Sequence, residues 1–384
     1  MKLFKVAVTI ILTTLILLLG CAVAVELYLQ NGVDEELKKQ ADQVAPFYWW
    51  TYTTHKGIEL NSRWSRGPLK VALHPVLVYK NLPNQVHSAF STNSRGYRGA
   101  EPDTHPTRPR IIMVGGSAAF GTGAQNDRET IGAYLETFLQ AEVINAGVIG
   151  HASTQELVSI ITEVIDLHPN LVITFDGFND FYRPLEVSDP KDVRLLSSIN
   201  GFEQIEGELQ FLSQLKSPSF LARLSRSHLI FFPRIVERLK TSRVSFLWGK
   251  PTVPVTMSDR LSDGSIFLAA EIYAQNLRKM HRLSIACGYR FLPIIQPVKQ
   301  KFKPEYRVFR QLSARHLSQA QIDVFDVADA EWITPDFFLD TVHLNAAGSK
   351  AVAQHVADFI RANHLLEPVH SISSAVSELG QGCY

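Results

Sequence analysis

The chain has 384 residues, 46% of them hydrophobic and 20% charged, so it can bury the core of one large domain and lacks the composition of a disordered chain. Its formal net charge of +1 supplies no global basic field, which argues against nucleic acid as a partner. The three cysteines, Cys21, Cys287 and Cys383, include no pair at metal-ligand spacing.

The first feature in chain order is apolar. Behind Lys2 and Lys5, the stretch VAVTIILTTLILLLGCAVAV from Val6 to Val25 carries no charge. About twenty such residues cross a bilayer as a helix. The flanking lysines place the N-terminus in the cytoplasm and the rest of the chain outside it. Two readings stay open for this segment: a retained signal-anchor, or a lipoprotein signal cut before Cys21. Both predict a membrane-tethered protein with its folded part on the extracytoplasmic side. Residues 26–105 then read as a connector, with an aromatic cluster, PFYWW, at 46–50 and a turn-rich stretch, NSRGYRG, at 93–99.

From residue 106 the pattern becomes regular. RIIMV (110–114) is a short apolar run bounded by glycine, as in a buried parallel strand. Asn126 with Glu129 makes a capping-box pair ahead of Ile131, Leu135, Phe138 and Leu139 at helical spacing. EVINAG (142–147) is the next strand and turn. Ser153 with Glu156 makes a second capping box, opening a helix to about residue 166, and LVITF (171–175) is a third strand. This alternation predicts an α/β domain over 106–365, with a parallel sheet and helices on its faces. The rhythm breaks over about 183–264, where amphipathic pieces interrupted by prolines read as a helical insertion. It resumes with a helix over about 266–286, a strand at 290–295, a helix over about 304–320, a strand at 322–327 and a last helix capped by Asn345. Residues 366–384, small and polar, read as a flexible tail. Cys287 directly follows the long helix, which favours a buried free thiol over a Cys287–Cys383 disulfide.

The glycine-rich turn after the first strand, GGSAAFGTG, admits two chemistries. Gly116 and Gly121 have the gap of a phosphate-binding loop, but Thr122 and Gly123 stand where its lysine and magnesium-binding hydroxyl belong. Asn126 replaces the third glycine of a dinucleotide motif. The alternative makes Ser117 a nucleophile, which needs a base, an acid to orient it and donors for an oxyanion. Asp340 and His343 are three residues apart, so both side chains can point the same way just before the last helix. A carboxylate beside an imidazole fixes its tautomer and stabilises the imidazolium. Gly147 follows the second strand and Asn179 the third, where each can present a donor. In an open α/β sheet these strand ends meet along one edge, where ligands bind. His151, Asp176 and Asp180 lie near the same turns; each can line the site, and the plainer reading makes them polar turn residues.

VGGSAAFG, INAGVIG, FDGFND and DTVHLNAAG, in this order, resemble the four blocks of the SGNH, or GDSL-type, hydrolase superfamily. The resemblance covers about 108–363 with the insertion unmatched, and NSRGYRG is similar to a stretch found upstream of the first block in some bacterial members. It implies a flavodoxin-like three-layer α/β/α sandwich around a central parallel sheet. It also implies a serine esterase with Ser117 as nucleophile, His343 as base and Asp340 orienting it. The Ser117 amide, Gly147 and Asn179 would form the oxyanion hole, with no metal or organic cofactor. The implied substrate is an ester such as an O-acetylated carbohydrate or a lipid ester. The family's first block often has aspartate where this chain has Gly116. An ordinary α/β-hydrolase is the rival fold, but it wants G-x-S-x-G and the fifth residue here is Ala119. Two functional alternatives keep the same fold: an O-acyltransferase acting on a glycan, and a catalytically silent subunit of an envelope complex.

Overall fold

The computed structural model describes Gly20 and residues 50–53, 68–74, 76–182, 263–299 and 303–367. The expected membrane segment apart from Gly20, nearly all of the expected insertion, and the tail beyond 367 lie outside the described residues. From Trp50 onward the described residues belong to one compact unit. Among the described residues no helix is long and apolar enough to cross a membrane.

Three strands of the expected connector, β1 (Trp50–Thr53), β2 (Leu69–His74) and β3 (Val78–Asn81), form a small sheet. In it β1 runs parallel and β3 antiparallel to β2. The main sheet contains β4 (Arg110–Gly115), β5 (Glu142–Asn145), β6 (Leu171–Asp176), β7 (Arg290–Ile295) and β8 (Phe325–Asp326). Its order is β5-β4-β6-β7-β8, and all four pairings are parallel. That is the flavodoxin-like order, in which the chain leaves β4 first to one side and then to the other, opening a crevice at the carboxyl ends of the strands.

Every residue of β4 and β6 is buried, which is why both read as near-continuous apolar runs without alternation. Side chains still alternate between faces. Ile111, Met113, Leu171, Ile173 and Phe175 pack on one face with α2 (Ile131–Leu139) and α7 (Ala346–Ala362). Ile112, Val114 and Val172 pack on the other with α3 (Ser153–Ser159), α4 (Phe178–Tyr182), α5 (Asp263–Cys287) and α6 (Lys303–Ser318). Each such fully buried aliphatic side chain contributes about 1.5–3 kcal/mol, so the two faces together fix the layers and the strand ends. The remaining helix, α1 (Ser117–Phe120), is a single turn.

Several local expectations are corrected. Asn126 caps the 3-10 turn Asp127–Glu129, and Thr130 caps α2 by accepting from the Ala133 amide. Ser153 does not cap its own helix. Its amide and its hydroxyl both donate to Asp180, a stronger acceptor brought in from α4, and Glu156 turns into the core. Downstream, α3 runs on through a π turn at Ile160–Val164. The strand expected over 322–327 pairs only at Phe325–Asp326. Asn345 caps α7 as expected, its side chain accepting from the Gly348 amide at 2.9 Å. Cys287, buried at the last position of α5, is disulfide-bonded and not a free thiol. Burial excludes water from the sulfur, but oxidation state follows from a neighbouring sulfur. Cys21 and Cys383 lie outside the described residues.

Candidate active site

The end of β4 turns directly into α1, so Ser117 occupies the first helical position, where a backbone amide has no helical acceptor. Its hydroxyl faces the loop before α7: Ser117 Oγ lies 2.7 Å from His343 Nε2. On the other side of the ring, His343 Nδ1 lies 2.6 Å from Asp340 Oδ2. The second carboxylate oxygen, Oδ1, accepts the backbone amides of Val342 and His343, both at 2.8 Å. Asp340 is thus a turn-former through one oxygen and the imidazole's partner through the other. Burial alone would raise its carboxyl, but the hydrogen bond and charge of His343 and the two backbone amides outweigh it. They hold the carboxylate well below its usual range. Ser117, Asp340 and His343 are all half-buried, within reach of solvent and substrate.

The loop carrying His343 is braced on both flanks. Leu339 N donates to His343 O at 2.9 Å, and Lys299 N, beyond β7, donates to Thr341 O at 2.7 Å. Against the nucleophile loop the approach is close. A Cβ on Gly123, whose φ is +107°, would stand 2.3 Å from Leu339 Cδ1 and 3.1 Å from Leu344 O, so a side chain there would be strained and would displace Leu339.

Asn179, at the second position of α4, donates through Nδ2 to His151 O at 2.6 Å. A carboxamide nitrogen has two hydrogens, so one remains for a ligand. This amide also accounts for the glycine before the serine: a Cβ on Gly116 would stand 2.5 Å from Asn179 Nδ2.

Gly147 departs from its expected place. Its amide donates to Asn145 Oδ1 at 3.1 Å and its carbonyl accepts from Asn81 Nδ2 at 3.0 Å. It packs behind α1, where an added Cβ would lie 2.5 Å from Phe120 N. The residue is a spacer for the turn that carries Ser117, with its donor already committed. The next turn, Val148–His151, instead faces the site. It is closed by His151 N donating to Val148 O at 3.1 Å, and it supplies the carbonyl that Asn179 holds. Gly150, at φ +76°, sits at its bend, and among the described residues no acceptor takes its amide. The only sequence signal was the second glycine of GVIG.

The remaining polar residues near these turns are buried, which corrects their reading as ordinary turn residues. His151 Nε2 lies 2.9 Å from Tyr79 O. Asp176, Asp180 and Glu156 form an acidic cluster beneath α4, with the Tyr273 hydroxyl donating to Asp176. Burial pushes Asp180 up to about 7, helped by the Asp176 charge and opposed by its bonds from Ser153. Burial likewise raises Asp176 against its hydrogen bonds from Glu156 and Tyr273. Glu156 is pushed well above the usual carboxyl range, first by burial and then by Asp176. Two buried carboxyls this close cannot both ionise cheaply, which is why Glu156 and Asp176 are raised together. Among the described residues, no group of three or more His, Cys, Asp or Glu is arranged to hold a metal ion.

No family model matches the chain, and no curated protein does. Among solved structures, a lipase/acylhydrolase from Enterococcus faecalis is similar at 13% identity and a TM-score of 0.39, over 68% of this chain and 100% of that one. A GDSL-like lipase from Bacteroides thetaiotaomicron is 14% identical with a TM-score of 0.36, over 66% of this chain and 88% of its own. An acetylxylan esterase from Geobacillus stearothermophilus is 15% identical with a TM-score of 0.36, over 67% and 94%. Similarity this distant carries no argument about chemistry, which rests on the geometry of Ser117, His343 and Asp340.

Proposed function

We propose that the protein is a serine ester hydrolase of the SGNH type, working through an acyl-enzyme on Ser117. The observation that carries this reading is the continuous path from Ser117 Oγ to His343 to Asp340, at 2.7 and 2.6 Å. With the Nδ1 proton directed at the carboxylate, Nε2 is left as the acceptor for the serine proton. Ser117 Oγ then attacks the ester carbonyl carbon while its proton passes to Nε2. The carbonyl oxygen becomes an oxyanion, received by the Ser117 amide, the free hydrogen of Asn179 Nδ2 and the Gly150 amide. Collapse of the intermediate expels the alcohol, which takes the proton from His343. Water repeats the sequence on the acyl-enzyme and releases the acid. Throughout, the depressed ionisation of Asp340 keeps a negative charge beside the imidazolium.

The ester we propose as substrate joins an acyl group to a carbohydrate hydroxyl or a lipid alcohol. We also place the enzyme outside the cytoplasm, tethered by its N-terminal apolar run. The Cys287 disulfide supports this, because such bonds persist in oxidising compartments. The test is covalent labelling by a fluorophosphonate, with peptide mapping of the adduct. Labelling should fall on Ser117 and vanish in Ser117→Ala, together with turnover of p-nitrophenyl acetate. Turnover surviving at the wild-type level in Ser117→Ala would end the proposal.

A further inference from the structure

The stretch NSRGYRG upstream of the first block takes no part in the reaction as derived, yet it ends in a buried cation. Asn93 Oδ1 accepts the amides of Arg95 and Tyr97 at 2.9 and 3.1 Å, shaping a turn that directs Arg98 inward. The Arg98 backbone amide donates to Asn145 O at 2.9 Å. Its side chain is 1% exposed. Nη1 donates to Phe120 O at 3.0 Å and to Gly121 O at 2.8 Å, and Nη2 donates to Ala89 O at 2.8 Å. Nε donates to Asp127 Oδ1 at 2.7 Å.

Phe120 and Gly121 are the last residue and the C-cap of α1, the turn that presents Ser117. Isolated helices shorter than about 12–15 residues are marginal in water, so a four-residue turn holds its shape only through what grips it. Its N-terminal end must stay open, since substrate binds there. The grip therefore has to come from the C-terminal end. We propose that Arg98 is a positioning residue for the nucleophile: its guanidinium clamps the C-terminal carbonyls of α1 and so fixes Ser117 Oγ against His343. Asn145 Nδ2, donating to Ala119 O at 2.9 Å, grips the same end from β5. A cation at a helix C-terminus also complements the backbone dipoles. Burying the charge is compensated by Asp127 and three carbonyls. Lysine cannot substitute, because a point ammonium does not reproduce a planar fork reaching four acceptors in fixed directions.

The proposal rests on the acyl-enzyme reading, and the test separates the two. Wild type, Ser117→Ala, Arg98→Lys and Asp127→Asn are compared by circular dichroism, by kcat and KM on p-nitrophenyl acetate, and by the rate of fluorophosphonate labelling. A displacement of about 1 Å at reacting atoms can cost about 10²-fold. Arg98→Lys should therefore keep the folded spectrum while kcat and labelling fall at least about tenfold, with KM within about twofold. A folded Arg98→Lys with kcat within about twofold of wild type overturns the proposal, while an inactive Ser117→Ala in the same series leaves the acyl-enzyme reading standing. If Arg98→Lys fails to fold, Asp127→Asn decides: its carboxylate is 33% exposed and its Oδ1 anchors Nε, so its loss frees the guanidinium to turn away from Phe120 O and Gly121 O. A lowered kcat at unchanged KM supports the clamp; an unchanged kcat overturns it.

Discussion

Gly147 was expected to donate to the oxyanion and is found supporting the nucleophile turn, and Gly147→Ala distinguishes these roles. The added Cβ would stand 2.5 Å from Phe120 N, 2.9 Å from Phe120 Cα and 3.0 Å from Ala119 C, all backbone atoms of α1. Ordinary contact begins at 3.4 Å, so the turn must withdraw by up to about 0.9 Å. No flexible side chain is there to absorb the strain. Overpacking of this kind costs about 1–3 kcal/mol, which for a domain of this size is a fall in Tm of roughly 2–12 °C. The same withdrawal takes Ser117 Oγ away from a 2.7 Å contact with His343 Nε2, and about 10²-fold in kcat goes with it. Calorimetry gives the first number and steady-state kinetics with p-nitrophenyl acetate gives the second; KM should barely move. Wild-type values of both Tm and kcat would show that α1 does not depend on this spacing. A lost kcat at unchanged Tm would show that the residue acts on the reaction without supporting the turn.

Asn179→Ala, which removes a single donor, should lower kcat by about 10²–10³-fold with little change in KM; a raised KM at constant kcat would make it a binding residue instead. Asp340→Asn should slow turnover severely, and combining it with His343→Ala should be little worse than His343→Ala alone, whereas multiplying losses would dissolve the pair. Because the Asp340 carboxyl is held low when folded, its contribution to stability is present above its unfolded value of about 3.9 and is lost only as pH falls through the depressed folded value. Asp180 has the opposite sign. Raised to about 7, it contributes stability below about pH 4 that is lost as pH rises through neutrality. Tm should thus decline between about pH 4 and 8, and Asp180→Asn should flatten that decline; an equal slope in the variant would remove Asp180 as its source.

The fold was legible where a local pattern decided it. RIIMV and LVITF had to be buried parallel strands, and their alternation with helices called for a parallel sheet under two layers. Ser117, Asp340 and His343 were legible because their spacing and their places after strands leave few other roles for those residue types. What escaped the sequence was long-range. Arg98 finds acceptors 22 and 23 residues away, and Asp180 takes over the cap of a helix 27 residues earlier, so no local window contains both partners. Residues 26–105 read as a connector for the same reason. Tyr79, whose hydroxyl donates to Ile149 O, and Asn81 hold the turn beside the nucleophile, a task invisible in residues that look like spacer. Gly147 and Gly150 are both glycines of one short stretch, and nothing local says which amide is left without an acceptor among the described residues.

The hydrogen bond between Ser117 and His343 joins residues 226 positions apart, and on the proposed mechanism that separation orders the appearance of activity in time. At about 5–20 residues per second, a ribosome takes roughly 11–45 s to travel from the nucleophile to its base. During that interval the growing chain already carries the serine and the donors on Gly150 and Asn179. It lacks His343, the group proposed to accept the serine's proton. A nascent or prematurely terminated product ending before Asp340 therefore lacks both the imidazole and the carboxylate that the proposed mechanism requires.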